Sequence, residues 1–362
     1  MTFLKTLFNR SFLSLFFTQF LGAFNDNFFR IGLATYITYK VTSISPDQKG
    51  VLTALAVAFF MLPFFLFSAM AGELADKYRK DILIKATKVL EVIIAILVGI
   101  GFMTTNVWML LIVLFIMGLQ STLFGPVKYS ILPDILKEDQ LITGNGIIEA
   151  ATYAAMLQGM IYGGMIIELK EYTIFGYTLT GGEQIIPGVI LVVAVIGLLA
   201  SLFMPAQHTG DNNVKVDANF FRSTWKNMAF AKQNHSIFLC ILGISWFWMV
   251  GAVLTSQFLP LSQIFLKGNS QVSTLLLALF SCGIGLGSLL CNFLVKGEIT
   301  SKYVPISALL MTLFLADFAW ASSGYAATTE FIGWKEFLST FGGKRLTIDL
   351  LGFALCGGLY VV

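Results

Sequence analysis

The side chains best placed to do chemistry begin at Phe24-Asn25-Asp26-Asn27-Phe28-Phe29-Arg30. Asp26 and Arg30 are four residues apart and share a face if the segment is helical, with the amides of Asn25 and Asn27 on either side. The set offers a carboxylate, a guanidinium and two amides, which suits the binding of a polar group and no covalent chemistry. It lies inside an apolar run over about 12–39. At about 1.5 Å per residue, Asp26 stands roughly 21 Å into that run from Phe12, near the middle of a hydrocarbon core about 30 Å thick. A charge at that depth is costly unless it meets a wet cavity or a partner. Asp26 therefore either lines a polar cavity or forms a salt bridge with Arg30. Lys128, Asn145 and Glu149 are further candidates for the same cavity.

The elements that must hold these residues are membrane helices. The chain of 362 residues is 57% hydrophobic and only 12% charged, about half the charged content of a soluble domain. Apolar runs cover about 12–39, 51–72, 82–103, 107–128, 143–167, 186–205, 237–265, 271–295, 304–323 and 347–362. The expected fold is all-α and polytopic, with about ten spans. The last run ends without a polar stop at Val362, so the chain is expected to lack a C-terminal part. The runs divide into an N-terminal six-helix bundle (1–205), a cytoplasmic linker (206–236) and an incomplete C-terminal bundle (237–362). The net charge of +3 decides little; the larger share of Lys and Arg falls in segments that put the N-terminus in the cytoplasm. Lys5 and Arg10 precede a run too long for a signal peptide's apolar core. The four cysteines lie in predicted spans without metal-ligand spacing, and both histidines, His208 and His235, fall in the linker. No phosphate-binding loop, dinucleotide fingerprint or zinc spacing appears. Neither cofactor, metal nor nucleic-acid partner is expected, and the chain is not read as an enzyme.

Smaller features complete the expectation. The linker holds His208, Asp211, Asn212, Asn213 and Lys215, then Phe220 to Lys226 as an amphipathic surface helix. Lys85, Lys88 and Glu91 repeat at spacings of three and read as an interfacial ladder. Gly159 with Gly163 and Gly283 with Gly287 read as helix-packing pairs. Asp317 has no assigned role, Asp349 marks the outer end of the tenth span, and the external loop over about 324–346 has no functional reading.

Between the second and third runs stands Gly72-Glu73-Leu74-Ala75-Asp76-Lys77-Tyr78-Arg79-Lys80. It resembles the loop signature of the major facilitator superfamily, with Tyr78 at a position where the pattern has glycine. The signature assigns Gly72, Asp76, Lys77, Arg79 and Lys80 to a gating latch, in which glycine permits a tight turn and the aspartate pairs with a base. The equivalent stretch, Lys296 to Lys302, has no aspartate.

Two further stretches, Phe124-Gly125-Pro126-Val127-Lys128-Tyr129-Ser130-Ile131-Leu132-Pro133 and Gly144-Asn145-Gly146-Ile147-Ile148-Glu149, join Ala23 to Asn27. Together they resemble the bacterial lysophospholipid transporter family of that superfamily. The resemblance implies twelve spans in two bundles and alternating access. It also implies inward transfer of lysophospholipids such as lysophosphatidylethanolamine across the bacterial inner membrane. It further implies an acyltransferase and acyl-carrier-protein synthetase, as partner or fusion, that reacylates the cargo. Lys128 then suits the phosphate, Asp26 or Glu149 the ammonium, and some of the 34 phenylalanines the acyl tail. Alternatives are a proton-coupled exporter of drugs or metabolites, a membrane anchor for fused acyl-transfer enzymes, and a passive scramblase.

Overall fold

The computed structural model describes residues 6–7, 9–42, 45–167, 172–174, 177–179, 181–206, 210–211, 214, 216–217, 219–295, 301–325 and 331–362. Lys5, His208, Asn212, Asn213, Lys215 and most of the 296–302 stretch lie outside them. Each expected apolar run is largely helical; α2 and α13 extend well beyond their runs, and α7 and α9 stop short of theirs. In chain order the helices are α1 Arg10–Tyr39, α2 Pro46–Lys77, α3 Lys80–Met103, α4 Val107–Ser130, α5 Leu132–Ile135 and α6 Leu141–Ile167. They continue as α7 Ile185–Leu202, α8 Phe220–Ala231, α9 His235–Pro260, α10 Ser270–Val295, α11 Val304–Ser323, α12 Trp334–Ser339 and α13 Phe341–Val361. A two-stranded antiparallel hairpin, β1 Tyr172–Ile174 and β2 Tyr177–Leu179, was not expected from the sequence.

The seven helices α2, α4, α6, α7, α9, α10 and α11 are long and apolar enough to cross a membrane. The remaining long helices, α1, α3 and α13, each carry charged residues within their length. Local chemistry sets the helix starts. The Asn9 carboxamide caps α1, Ser45 and Gln48 form a reciprocal capping box ahead of Pro46, and Asn106 caps α4. Each cap satisfies backbone N–H groups that have no partner within the first helical turn.

Helix α13 corrects one expectation. It begins at Phe341, where the Thr340 hydroxyl accepts from Gly343 N at 2.9 Å. The apolar run starts later because Gly342, Gly343, Lys344 and Arg345 break the hydropathy without breaking the helix. Asp349 is therefore an interior residue, 5% exposed, and not the outer end of a span.

The chain forms two compact units. The first holds residues 3–138 and 158–230 and the second 139–157 and 231–362, so α6 contributes to both. In the first, α1 packs on α7, α2 runs along α4, and α3 lies against α4 and α7. Its core includes Phe28, Phe29, Ile94, Val98, Leu114 and Ile190. In the second, α13 packs on α10 and α11 over a core that includes Phe247, Phe280, Met311 and Phe353. The 324–346 stretch gains a structural role there: Ile332 exchanges backbone hydrogen bonds with Lys267 O and Asn269 N at 2.8 and 3.0 Å.

The glycine pairs act as expected. A Cβ on Gly159 would lie 2.5 Å from the Phe24 carbonyl, and one on Gly163 would strike the Phe28 carbonyl, so α6 and α1 touch backbone to backbone. On α10, Gly283 and Gly287 meet Ala354 and the Leu355 carbonyl of α13. Without a hydrophobic drive between helices in lipid, such close approach is the main source of association. We expect Gly163→Ala to destabilise the protein by about 1–3 kcal/mol through overpacking. Gly188→Ala, where an added methyl meets nothing within 4 Å, should be neutral or slightly stabilising; thermal melting of both variants checks the contrast.

Candidate functional site

The four residues singled out on α1 split between two sides of the helix. Asn25 is fully buried, and its Nδ2 donates to Glu91 Oε1 on α3 at 2.9 Å and to the Ile190 carbonyl on α7 at 3.2 Å. Glu91 in turn accepts from Lys88 Nζ at 2.5 Å, and both side chains are 1% exposed. Room for the ammonium comes from absent side chains. A Cβ on Gly22 would stand 2.6 Å from Lys88 Nζ and one on Gly197 3.7 Å away, while the Phe124 ring centroid lies 5.4 Å from it. Lys88 and Glu91 are thus not an interfacial ladder but a buried ion pair in the first unit. Their spacing shows that they share a face; it does not show that α1 and α7 cover that face. Lys85 departs from the pair and meets Asp81 at 3.4 Å.

Asp26 turns the other way. It is half-buried, and Ser121 Oγ on α4 donates to its Oδ2 at 2.6 Å. Gln120, beside that serine, donates through Nε2 to the Thr87 carbonyl at 3.2 Å. Arg30 does not pair with Asp26. Its Nη2 donates to Asn27 Oδ1 at 2.8 Å, and its guanidinium lies 5.7 Å from the Phe60 ring centroid. Asn27 is held by its own helix through the Ala23 carbonyl at 2.9 Å. The salt-bridge alternative for Asp26 and Arg30 therefore falls. Among the described residues Arg30 Nε has no acceptor although it is buried. One helix thus presents a carboxylate and a guanidinium that are not neutralised by each other. The sequence places Lys88 and Glu91 in a ladder and does not single out Gln120 or Ser121; polar residues inside apolar runs were the available signal.

The other expected site residues lie on other elements. Lys128 lies in the last turn of α4 with its ammonium 4.7 Å from the Tyr129 ring centroid. It is seven residues beyond Ser121, or about 10 Å along the axis. Asn145 and Glu149 belong to the second unit. There Glu149 is 4% exposed and one turn before Tyr153, whose ring stacks on Trp248 at 6.1 Å.

The loop between α2 and α3 also differs from its expected wiring. Gly72 sits at no close approach, since a Cβ there meets nothing within 4 Å. Among the described residues the exposed Asp76 side chain makes no ion pair. Arg79 instead binds Asp81 through two nitrogens at 3.1 and 3.2 Å. Lys77 rests against the Tyr78 ring at 5.6 Å, and Tyr78 adopts an extended backbone that completes the turn without glycine. Lys80 Nζ reaches the Ser130 carbonyl and Asp134, each at 2.7 Å, joining α3 to the end of α4.

An unexpected acid organises this end. Glu73 is 7% exposed and accepts from Asp217 N at 2.9 Å and Ser223 Oγ at 2.7 Å. Asp211 N donates to the Asp76 carbonyl at 3.0 Å, and Gly210 packs where a Cβ would strike the Lys77 carbonyl. The linker segment is thereby fastened to the loop. Helix α8 extends the expected surface helix to Ala231, burying Ser223 while Phe221 and Trp225 stay exposed.

Two bundles of membrane helices, with charged residues inside the spans and this loop between α2 and α3, define a multi-pass transporter. The family model of the Major Facilitator Superfamily matches residues 15–360, and the chain belongs to that superfamily. Among curated relatives it is similar to the lysophospholipid transporter LplT of Yersinia enterocolitica serotype O:8 / biotype 1B, 25% identical over 84% of this chain and 70% of the relative. LplT of Yersinia pestis (strain Pestoides F) is 24% identical over the same shares. Among solved structures the E.coli fucose:proton symporter FucP superposes with a TM-score of 0.65 at 16% identity, covering 95% of this chain and 81% of that one. The human organic anion transporter MFSD10 superposes at 0.64 and 11% identity, covering 97% and 92%. These superpositions establish the fold alone.

Removing one partner from a buried ion pair leaves an uncompensated charge. We expect Lys88→Ala to cost about 3–5 kcal/mol, and Lys88→Met with Glu91→Leu to recover most of it, read by thermal unfolding. A solvated ladder would lose at most about 1 kcal/mol. Glu73→Ala should release the 210–223 segment, so limited proteolysis there should accelerate while cleavage elsewhere stays unchanged.

Proposed function

We propose that this protein transports lysophospholipids by alternating access between two helical bundles joined by the 206–236 linker. The observation that carries the reading is similarity to curated lysophospholipid transporters over most of the chain. The α1 site supports it in chemical terms. A lysophospholipid headgroup offers a phosphate and commonly an ammonium. The guanidinium of Arg30 keeps an Nε–H without an acceptor among the described residues, which suits a phosphate oxygen. The Asp26 carboxylate suits the ammonium. Arg30 is a better phosphate partner beside Asp26 than Lys128, which stands about 10 Å further along the bundle.

Lys128, Asn145 and Glu149 belong in this reading to the cargo's path, and the loop from Gly72 to Lys80 to the gate. The membrane is the bacterial inner membrane, with the N-terminus cytoplasmic, and transfer runs from the outer to the inner leaflet. Reacylation then falls to an acyltransferase and acyl-carrier-protein synthetase acting beside the transporter or fused to it.

The test is flipping of lysophosphatidylethanolamine in proteoliposomes by the protein and its Asp26→Asn, Arg30→Lys and Lys128→Ala variants. Loss of one charge-assisted hydrogen bond of about 1.5–3 kcal/mol predicts a decrease of tenfold or more for the first two and a smaller decrease for Lys128→Ala. Flipping that ignores Asp26 and Arg30 removes the site. A folded protein that flips nothing removes the cargo.

A further inference from the structure

The second unit contains a charged cluster that the transport reading does not use. Helix α13 carries Arg345 and Asp349 four residues apart, and α11 carries Asp317. Arg345 holds Asp317 in a two-pronged contact, Nε to Oδ2 at 3.0 Å and Nη2 to Oδ1, and its guanidinium lies 5.6 Å from the Trp320 ring centroid. The guanidinium is thus directed at one of the two acids. Asp349 is 5% exposed, and its Oδ2 has no donor among the described residues. Asp349 lies one turn from Arg345 on α13, α13 packs on the α11 that carries Asp317, and the Asp317 carboxyl group is among the polar neighbours of Asp349. Two ionised carboxylates are acceptors only and have no hydrogen to share.

Other charges do not resolve this. Helix α10, packed against α13, has no Asp, Glu, Lys, Arg or His and contributes only the thiols Cys282 and Cys291. Helix α9 has Cys240 and, at its first residue, His235. Lys335 and Glu336 on α12 are exposed, as is Lys344 on α13, whose other titratable groups are Cys356 and Tyr360. Two acids and one base, fully ionised, leave a net negative charge inside membrane-spanning helices. Like charges this close do not both ionise. A metal cation is a poor remedy beside a guanidinium, and no metal-ligating group of three is found among the described residues.

We propose that Asp349 and Asp317 hold one proton between them, making the Asp317–Arg345–Asp349 cluster a proton-binding site of the second unit. The proton supplies the hydrogen that the carboxyl pair lacks and reduces the cluster to one acid facing one base. Asp317 and Arg345 are each 38% exposed, so exchange with the surroundings runs through the Asp317 side, with Asp349 as the enclosed end. The site stands whatever the cargo is.

Infrared spectroscopy of the full chain in lipid vesicles tests it between about pH 5 and pH 8, where ordinary carboxyl groups are ionised. The wild type should show a protonated-carboxyl stretch near neutral pH that Asp349→Asn abolishes and Asp317→Asn shifts. Asn mimics the protonated acid, so Asp349→Asn should also melt within about 2 °C of the wild type, a shift of well under 1 kcal/mol for a chain of this size. Isotope-labelled aspartate in an Asp26→Asn background reads the same band with the cluster unsubstituted should a cluster variant fail to fold. Wild-type and Asp349→Asn spectra that superimpose across this range, or a labelled Asp26→Asn protein without the band, would overturn the proposal.

Discussion

A lysine and a glutamate held together away from water constrain everything around them. Lys88 and Glu91 are almost completely enclosed, and the Lys88 ammonium donates to the Glu91 carboxylate at 2.5 Å. Asn25 completes the arrangement by giving one amide hydrogen to Glu91 and the other to a carbonyl of α7. That amide fixes the rotation of α1 about its own axis. With Asn25 directed at α3 and α7, the next residue, about 100° further round the helix, must face α4, where Ser121 receives it. The orientation of Asp26 and Arg30 therefore follows from a pair that contacts neither of them by hydrogen bond. The glycines at 22, 159 and 163 serve the same arrangement, admitting the ammonium or the neighbouring helix where a methyl group would not fit.

Polar groups in this protein fall into two kinds. The Lys88–Glu91 pair with the Asn25 amide nitrogen, and the Glu73–Ser223 contact, are enclosed, hydrogen-bonded and structural in character. Arg30 and Asp349 each keep a buried atom, Nε and Oδ2, unsatisfied among the described residues. An unsatisfied polar atom in low dielectric is costly to keep. Such atoms are where a ligand, or a proton, gives the greatest return in free energy. The first unit offers a guanidinium hydrogen and so suits an anionic ligand. The second offers a carboxyl oxygen and so suits a proton.

The loop between α2 and α3 shows how a motif can be present while its contacts differ. Its residue types match the superfamily pattern, yet Asp81 takes the arginine and Glu73 takes the linker. The basic residues engage whichever carboxylate the helix ends bring nearest, and the start of α3 puts Asp81 within two residues of Arg79. Tyr78 replaces glycine without strain because its backbone is extended there.

Hydropathy alone determined the number, order and type of the long helices, because a backbone in hydrocarbon satisfies its hydrogen bonds most simply as a helix. The glycine pairs, the linker helix and the superfamily were legible for related reasons: close packing, amphipathicity and a loop signature are local patterns. Polar residues within spans marked α1 as the site-bearing helix. Which charges meet was not legible. Asp26 and Arg30 at i and i+4 had the spacing of a pair and are not one, while Lys88 and Glu91 looked solvated and are buried. Asp349 looked terminal and is interior, because the polar first turn of α13 hid the helix start. For Asp26 and for Glu91 the deciding partner lies on another helix, at Ser121 and Asn25. Spacing along one helix says which side chains share a face. Only the tertiary packing of the other helices decides whether that face meets lipid, water or an opposite charge.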